Sequence, residues 1–425
     1  LYDQLDPLSQ LAVRVATHDA EGRLDREKFR AWFGSLPRFD TGDPSRESWG
    51  LSYAERRAIK PTPLRLFFPR FDYLPPDLRG ILAKFVPPPD PFAVPTVESL
   101  PETVTLSRTV WHKRQQGREE WEVPLHVRTT AAEAQTNVRA VLRLVEAGKV
   151  RVSDKKRVPT EASRQAVAAV LSGGDFYASE DASEWKHDPA FDLGIQSFAW
   201  PVLLQAGSLA EKSGDALKLT PSGRKAMAAP TAEVLHRLWS AWLKTRAFDE
   251  FARIEAIKGQ GQGRLSAAAG RRSVVVEALT ACPVGRWFGI EDFFRLLRAT
   301  GREFVVTHAA DELYIAEHYY GNLGSINEHA WEQLQGRFVL AFLFEYVATL
   351  GLIDVAYVPP QRARHDFQSR WGTDDFECLS RYDGLRFVRI NSFGAWCLGL
   401  ADEYKPEPPT VTADLRVLAN LDIVS

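Results

Sequence analysis

Four cations sit in one glycine-rich run. AIKGQGQGRLSAAAGRR, residues 256–272, places Lys258, Arg264, Arg271 and Arg272 among glycine, glutamine and other small residues. Cations on such an adaptable backbone would lie along phosphates, with guanidinium forks and backbone amides holding the non-esterified oxygens. A basic inter-domain linker is the competing account of the same letters. The run is no dinucleotide fingerprint, because its glycines follow a helix and no βαβ unit surrounds them. A second basic cluster is VRVSDKKRVPT, where Arg151, Lys155, Lys156 and Arg157 crown a turn between two short strands. A wing of this kind would touch a DNA backbone, or simply stand in water because it is charged. The third, TVWHKRQQGR, sets Trp111 and His112 beside Lys113, Arg114 and Arg118. There an aromatic ring would stack on bases while the cations pair with phosphates. An exposed β-turn over a partly buried tryptophan is the plainer account.

Catalytic signatures are a different matter. No nucleophile elbow, HExxH, paired-carboxylate signature or Ser/His/Asp arrangement stands out, and no P-loop GxxxxGK[ST] or DEAD-like box occurs. The segment Pro359–Gly384 carries Arg362, Arg364, His365, Arg370 and Arg381 against Asp366, Asp374, Asp375, Glu377 and Asp383. Mixed signs argue against a phosphate groove and for an ion-paired, partner-facing loop. His365, Asp366, Asp374 and Asp375 match no established ligand spacing, so neither a metal nor a cofactor is expected. Cys282, Cys378 and Cys397 lack paired spacing, which suits a reducing cytoplasm.

Bulk properties set the frame. The 425 residues predict two to four domains. Net charge is −2, from 53 basic and 55 acidic side chains, so any nucleic-acid contact must come from local patches. No apolar run reaches the length of a bilayer span and no signal peptide opens the chain, so a cytoplasmic protein without membrane contact is expected. Leu1 opens the sequence and Met227 is its one methionine, so a natural start further upstream is expected. The chain stops after an apolar strand, so continuation past Ser425 is expected too.

The elements that would position these groups follow from periodicity. Residues 329–358 read as one long buried helix running into a strand. Trp331, Leu334, Phe338, Phe342, Tyr346 and Leu350 recur at three- and four-residue steps, with Leu340, Leu343, Phe344 and Val347 around the sides. Gly351 closes the helix and Ile353–Val358 continue as a strand. LDPLSQLAVRVATHD and LDREKFRAWFGSL predict two short helices, the second capped by Asp25. Prolines crowd residues 35–105 and predict an irregular connector. Helices are expected through residues 130–150, 191–206, 235–251 and 290–299, with hairpins turning at Ser213–Asp215 and Ala309–Asp311. The last eleven residues, LRVLANLDIVS, predict a strand.

The expected fold class is mainly α with short β-wings, as tandem winged-helix/helix-turn-helix domains. The boundaries are an N-terminal helical unit over 1–34, a proline-rich connector over 35–118 and a winged-helix unit over 119–180. A second unit with a trailing helix covers 181–255, followed by the basic loop at 256–272. A third unit covers 273–322, and a fourth, with a wing insertion and C-terminal strand, covers 323–425.

Three stretches carry a resemblance. They are WPVLLQAGSLAEKSGDALKLTPSGRKAMA with LHRLWSAWL, then RFVLAFLFEYVATLGLIDVAY, and FGAWCLGL before LRVLANLDIVS. Together they resemble winged-helix arrays of bacterial helicase-associated proteins, related to the N-terminal region of XPB-type helicases. The resemblance covers about residues 190–425 and is one of pattern. It implies a non-catalytic DNA-binding or DNA-guided scaffold subunit of a bacterial DNA-processing system, in anti-phage defence or repair. Its partners would be DNA, through backbone contacts of low sequence specificity, and other subunits such as a helicase or nuclease. The alternative is a protein–protein docking scaffold that binds no nucleic acid, which near-neutral charge favours. An enzyme without a recognisable motif is the third class.

Overall fold

The computed structural model describes residues 1–42, 52–70, 72–112, 115–177, 194–261, 263–317, 321–326, 330–367, 373, 376–405, 416–417 and 423–424. Two capped helices open the chain, α1 (Pro7–His18) and α2 (Arg26–Phe33). Asp6 accepts from the amides of Leu8 and Ser9, and Asp25 from those of Glu27 and Lys28, so each carboxylate satisfies orphan N–H groups of a first turn. Next come α3 (Tyr53–Ala58), a 3₁₀ turn at Pro63–Leu66 and α4 (Pro76–Leu82). The stretch expected to be an irregular connector is part of a core instead. Phe39, Leu64, Phe67, Phe68, Leu74 and Leu82 close over Ala12, Val13 and Phe29 of the first helices. Proline breaks regular elements without preventing the apolar residues between them from packing.

A long hairpin follows: β1 (Thr103–His112) and β2 (Gln115–Pro124), paired over their whole length, then β3 (His126–Arg128). The order is next α5 (Ala131–Glu146), α6 (Glu161–Ala168), α7 (Gln196–Ala206), β4 (Ala210–Ser213) and β5 (Ala216–Leu219). After these come α8 (Pro221–Ala226), α9 (Thr231–Lys244), β6 (Ile257–Lys258), α10 (Ala268–Thr280), β7 (Trp287–Gly289) and α11 (Ile290–Ala299). The strands β8 (Tyr314–Glu317) and β9 (Gly321–Ser325) pair with each other, and β6 joins β8. The expected turn at Ala309–Asp311 is not the turn of this pair, because Ala310–Glu312 is a 3₁₀ turn that precedes β8. Helix α12 (Arg337–Ala341) is flanked without a break by π-turns at Glu332–Gly336 and Phe342–Val347. Residues 332–347 thus form one central helix. Then come β10 (Ile353–Tyr357), β11 (Leu385–Ile390), α13 (Ser392–Cys397) and the short pair β12 (Arg416–Val417) and β13 (Ile423–Val424).

The chain is a mixed α and β protein, with 41% of the described residues in helix and 17% in strand. This corrects the expectation of a mainly α string of tandem winged-helix domains. Sheets join segments far apart in sequence: β3, β10, β11 and β7 lie in that order in one antiparallel sheet. The units expected to be separate share a single core that reaches from Ala134 to Cys397. Hydrophobic periodicity reports which face of an element is apolar, not which distant element covers it.

The central helix is the axis of that core. Leu334, Phe338, Phe342, Tyr346 and Leu350 are buried, and Leu340, Leu343, Phe344 and Val347 are covered from the other sides. Gly351 turns the chain at φ 84°, where a Cβ would meet the Cβ of Ala134 at 2.7 Å. The helix and strand expected over this stretch are therefore present.

Two parts of the chain share an arrangement of a helix, a short extended stretch, two further helices and a closing hairpin, with β8 and β9 set between the two helices of the second part. In the first instance residues 150–152 bond to β5, with Val152 N–H donating to Asp215 O and Leu217 N–H to Val150 O, each at 2.8 Å. In the second, β7 pairs with β11. Each hairpin ends in the same device. Thr220 Oγ1 accepts from Gly223 N at 3.0 Å, and Asn391 Oδ1 accepts from Gly394 N at 2.9 Å. Both glycines press on backbone, since an added Cβ would lie 2.0 Å from Leu209 O and 1.8 Å from Leu352 O. Gly394→Ala is expected to cost roughly 1–3 kcal/mol by overpacking, read by chemical denaturation. An unchanged unfolding midpoint would mean that this contact yields freely.

The N-terminal body sits on α11. Arg295 donates to Ala31 O at 3.2 Å and Trp32 O at 3.4 Å, at the C-terminal end of α2, and Arg298 pairs with Glu27 at 3.1 Å. Cations at a helix C-terminus meet the negative end of its dipole.

Candidate functional site: the wedge beside the long hairpin

The cations singled out by sequence part company in the structure. Lys258 is exposed on β6. Arg264 turns back on its own loop, pairing with Glu312 at 2.7 Å and donating to Gly259 O at 3.0 Å. Arg271 and Arg272 face inward from the first turns of α10. Arg271 is 1% exposed, donates to Asp249 and to Ser266 O, and lies 4.6 Å from the Phe338 ring centroid. Arg272 is fully buried. It binds Glu250 at 2.6 Å and three carbonyl oxygens, those of Trp242, Thr245 and Phe248, at 2.7–2.8 Å. These two side chains fasten α10 to the turn after α9 and are out of reach of a phosphate chain. The loop was read as open because its composition is flexible. Burial of a guanidinium depends on carboxylates that arrive from elsewhere in the chain.

The second cluster stays at the surface. Lys155, Lys156 and Arg157 are exposed, and Arg157 takes a left-handed backbone at φ 56°. Gln205 Nε2 donates to Arg157 O at 3.0 Å and ties the turn to α7. Arg151 is paired with Asp215 at 2.9 Å, and Asp154 with Lys212 at 2.6 Å. Lys113 and Arg114 of the third cluster lie outside the described residues, between the ends of β1 and β2. Trp111 is in β1 and Gln115–Arg118 are in β2, so the described part of that stretch is strand.

The expected surface insertion, 359–384, is ion-paired as read, but much of it serves the core. Arg337 on the central helix is fully buried and holds Asp366 at 2.7 Å and Asp383 at 2.9 Å. Arg364 pairs with Asp366 at 3.0 Å and Glu291 at 2.5 Å. Burial alone would raise the Asp366 carboxyl. Arg337 and Arg364 outweigh it and hold that group well below the usual carboxylate range. Further along the central helix, Glu345 receives Arg253 Nε at 3.2 Å and the Tyr382 hydroxyl. Two opposite charges thus lie one above the other on one buried helix, each with counterions from a different segment. Among the described residues no group of three His, Cys, Asp or Glu is arranged to hold a metal ion.

Among the described residues a recess lies between the β1–β2 hairpin and the start of the insertion. It is a wedge of about 620 Å³. Cross-strand partners of a hairpin share a face, so Val104 with Val123, Leu106 with Trp121 and Arg108 with Glu119 make one surface, apolar at its base and charged toward the tip. Leu106, Trp121 and Val123 pack toward Val358 and Ala363, which are buried beneath. Pro359, Gln361, Arg362 and Glu377 form the opposite wall, and His126 completes the lining. Each wall carries a closed ion pair: Arg108–Glu119 at 2.5 Å and Arg362–Glu377 at 2.7 Å. The His126 ring stacks on Tyr357, whose hydroxyl is pushed up to about 12, first by burial, with Arg128 pulling the other way.

This lining can offer apolar contact, guanidinium donors and carboxylate acceptors. Sequence reading passed over it, although the alternation in TVTLSRTV and REEWEVP carries a period-two signal. The prolines on either side drew the region into the connector. No helix among the described residues is long and apolar enough to cross a membrane. Comparison with protein-family models, with curated proteins and with solved structures finds no match.

Proposed function

We propose that this chain is a protein-docking scaffold without chemistry of its own, and that the wedge beside the long hairpin receives a partner subunit. The observation that carries this reading is the wedge: apolar at its base, open at its rim, and balanced in charge among its described lining residues, where each wall closes its own ion pair. The recess has the size of sites that bind other molecules, and more of its exposed lining is apolar than polar. The phosphate-binding loop expected at residues 256–272 loses its force, because Arg271 and Arg272 neutralise buried carboxylates and Arg264 is turned onto Glu312.

A second reading has one observation in its favour. Lys155, Lys156 and Arg157 stand together on a braced turn, which suits contact with a DNA backbone alongside a helicase or nuclease subunit. Titration of random duplex DNA at rising salt separates the two. The docking reading expects no salt-dependent duplex binding by the wild type. Binding whose log–log salt slope drops by about 2–3 in the Lys155→Ala, Lys156→Ala, Arg157→Ala variant would move the function to DNA. On the docking side, Val123→Glu is expected to release subunits that co-purify with the wild type from its native host. Subunits retained by a folded Val123→Glu chain would place the partner elsewhere.

A further inference from the structure

The chemistry of the wedge narrows what can occupy it. Glu119 and Glu377 stand at the rim, half exposed at 51% and 52%, each beside an arginine on its own wall. A phosphodiester or a strongly acidic segment would meet both carboxylates, and a basic segment both guanidinium groups, so a neutral occupant has the least opposition. Along β2 the lining runs from Glu119 to Pro124, five strand steps or about 17 Å. That length matches about five residues of an extended polypeptide. An extended chain also offers, in alternation, the N–H groups that carboxylates accept and the carbonyls to which guanidinium groups donate. Its side chains on one side recur every second residue, which suits a narrow apolar base flanked by polar walls.

We propose that the wedge binds an extended, uncharged segment of a partner protein, with two apolar side chains at alternate positions set against Trp121 and Val123, the partly exposed apolar residues of its hairpin wall. The assignment rests on the docking reading and specifies its ligand. Trp121 is the anchor: it is the largest apolar group in the lining and lies on a strand fixed through its pairing with Leu106.

Panning a display library of random linear decapeptides on the full chain tests the assignment. Peptides selected by the wild type are expected to share two apolar residues at i and i+2 and to carry no net charge. Synthetic versions should bind Trp121→Ala about thirtyfold more weakly, with the unfolding midpoint of the variant recorded alongside. A second variant, Glu119→Lys, does not rely on loss. It leaves two unpaired cations on one wall, and panning on it should select peptides with an acidic residue beside the apolar pair. Wild-type peptides rich in charge, peptides indifferent to both substitutions, or no enrichment by a folded wild-type chain would each overturn the proposal. Salt-dependent duplex binding through Lys155–Arg157 would instead sink the docking reading itself, so the two failures are distinguishable.

Discussion

Arg272→Ala should destabilise the protein by about 3–5 kcal/mol, although arginine in a glycine-rich basic run would ordinarily be replaced at little cost. The reason is what remains behind. Glu250 is fully buried, and its oxygens are held by Arg272 and by Trp242 Nε1 at 3.0 Å. Removing the cation strands a carboxylate in the core together with three carbonyl oxygens. Burial already raises the Glu250 carboxyl above its ordinary value, and Arg272 pulls it part of the way back. A group whose folded pKa is raised binds more protons in the folded state, so stability falls as pH rises from about 4.3 through the raised value. Without Arg272 that rise grows, and the deficit of the variant should deepen with pH and be smallest in acid. Urea denaturation at pH 4.5 and pH 7.5 checks both parts. Removing both partners with Arg272→Met and Glu250→Leu should recover a substantial part of the loss, because the desolvated charge goes with them. A single variant as stable as the wild type would restore Arg272 as a candidate surface cation.

Arg337→Ala should be comparably severe, about 3–5 kcal/mol, although the carboxyl it serves is shifted down rather than up in the wild type. Arg337 lies on the axis of the core and balances Asp366 and Asp383, while Ser380 and the amide of Leu379 also serve Asp383. The Asp366 carboxyl is depressed in the folded chain, so its contribution is fully present above the unfolded value near 3.9. It is lost as pH falls through the folded value. In Arg337→Ala the depression shrinks to what Arg364 supplies, so the gap between wild type and variant is full at neutral pH and closes in acid. A gap that stays constant from pH 7 to pH 3 would show that Arg337 acts through packing against Phe367, 5.9 Å from its guanidinium carbon, rather than through charge.

Both predictions concern residues whose meaning changed between sequence and structure. Arg271 and Arg272 look like phosphate ligands in a linear reading because their neighbours are small and uncharged. Asp249 and Glu250 precede them by 22 residues and approach through the turn after α9. Arg337 and Glu345 lie within a helix otherwise apolar enough to be read as pure core, and their counterions come from the insertion and from the turn at Arg253. The wedge depends on the same kind of distance: its hairpin wall and its opposite wall are separated by more than two hundred residues.

The sequence by itself determined the local events. It marked the central helix and its stop at Gly351, the aspartate cap of α2, the helix over 290–299, and the hairpin that turns at Ser213–Asp215. Each of these is set within a few residues by backbone preference, capping geometry and the period of apolar side chains. Only the tertiary structure decided which charges are inside and which recess stays open. It also made one antiparallel sheet from β3, β7, β10 and β11, and one core from units expected to stand apart. Periodicity carries no record of the partner that covers a face, and the value of a charged side chain depends on the counterion and the solvent that folding leaves beside it.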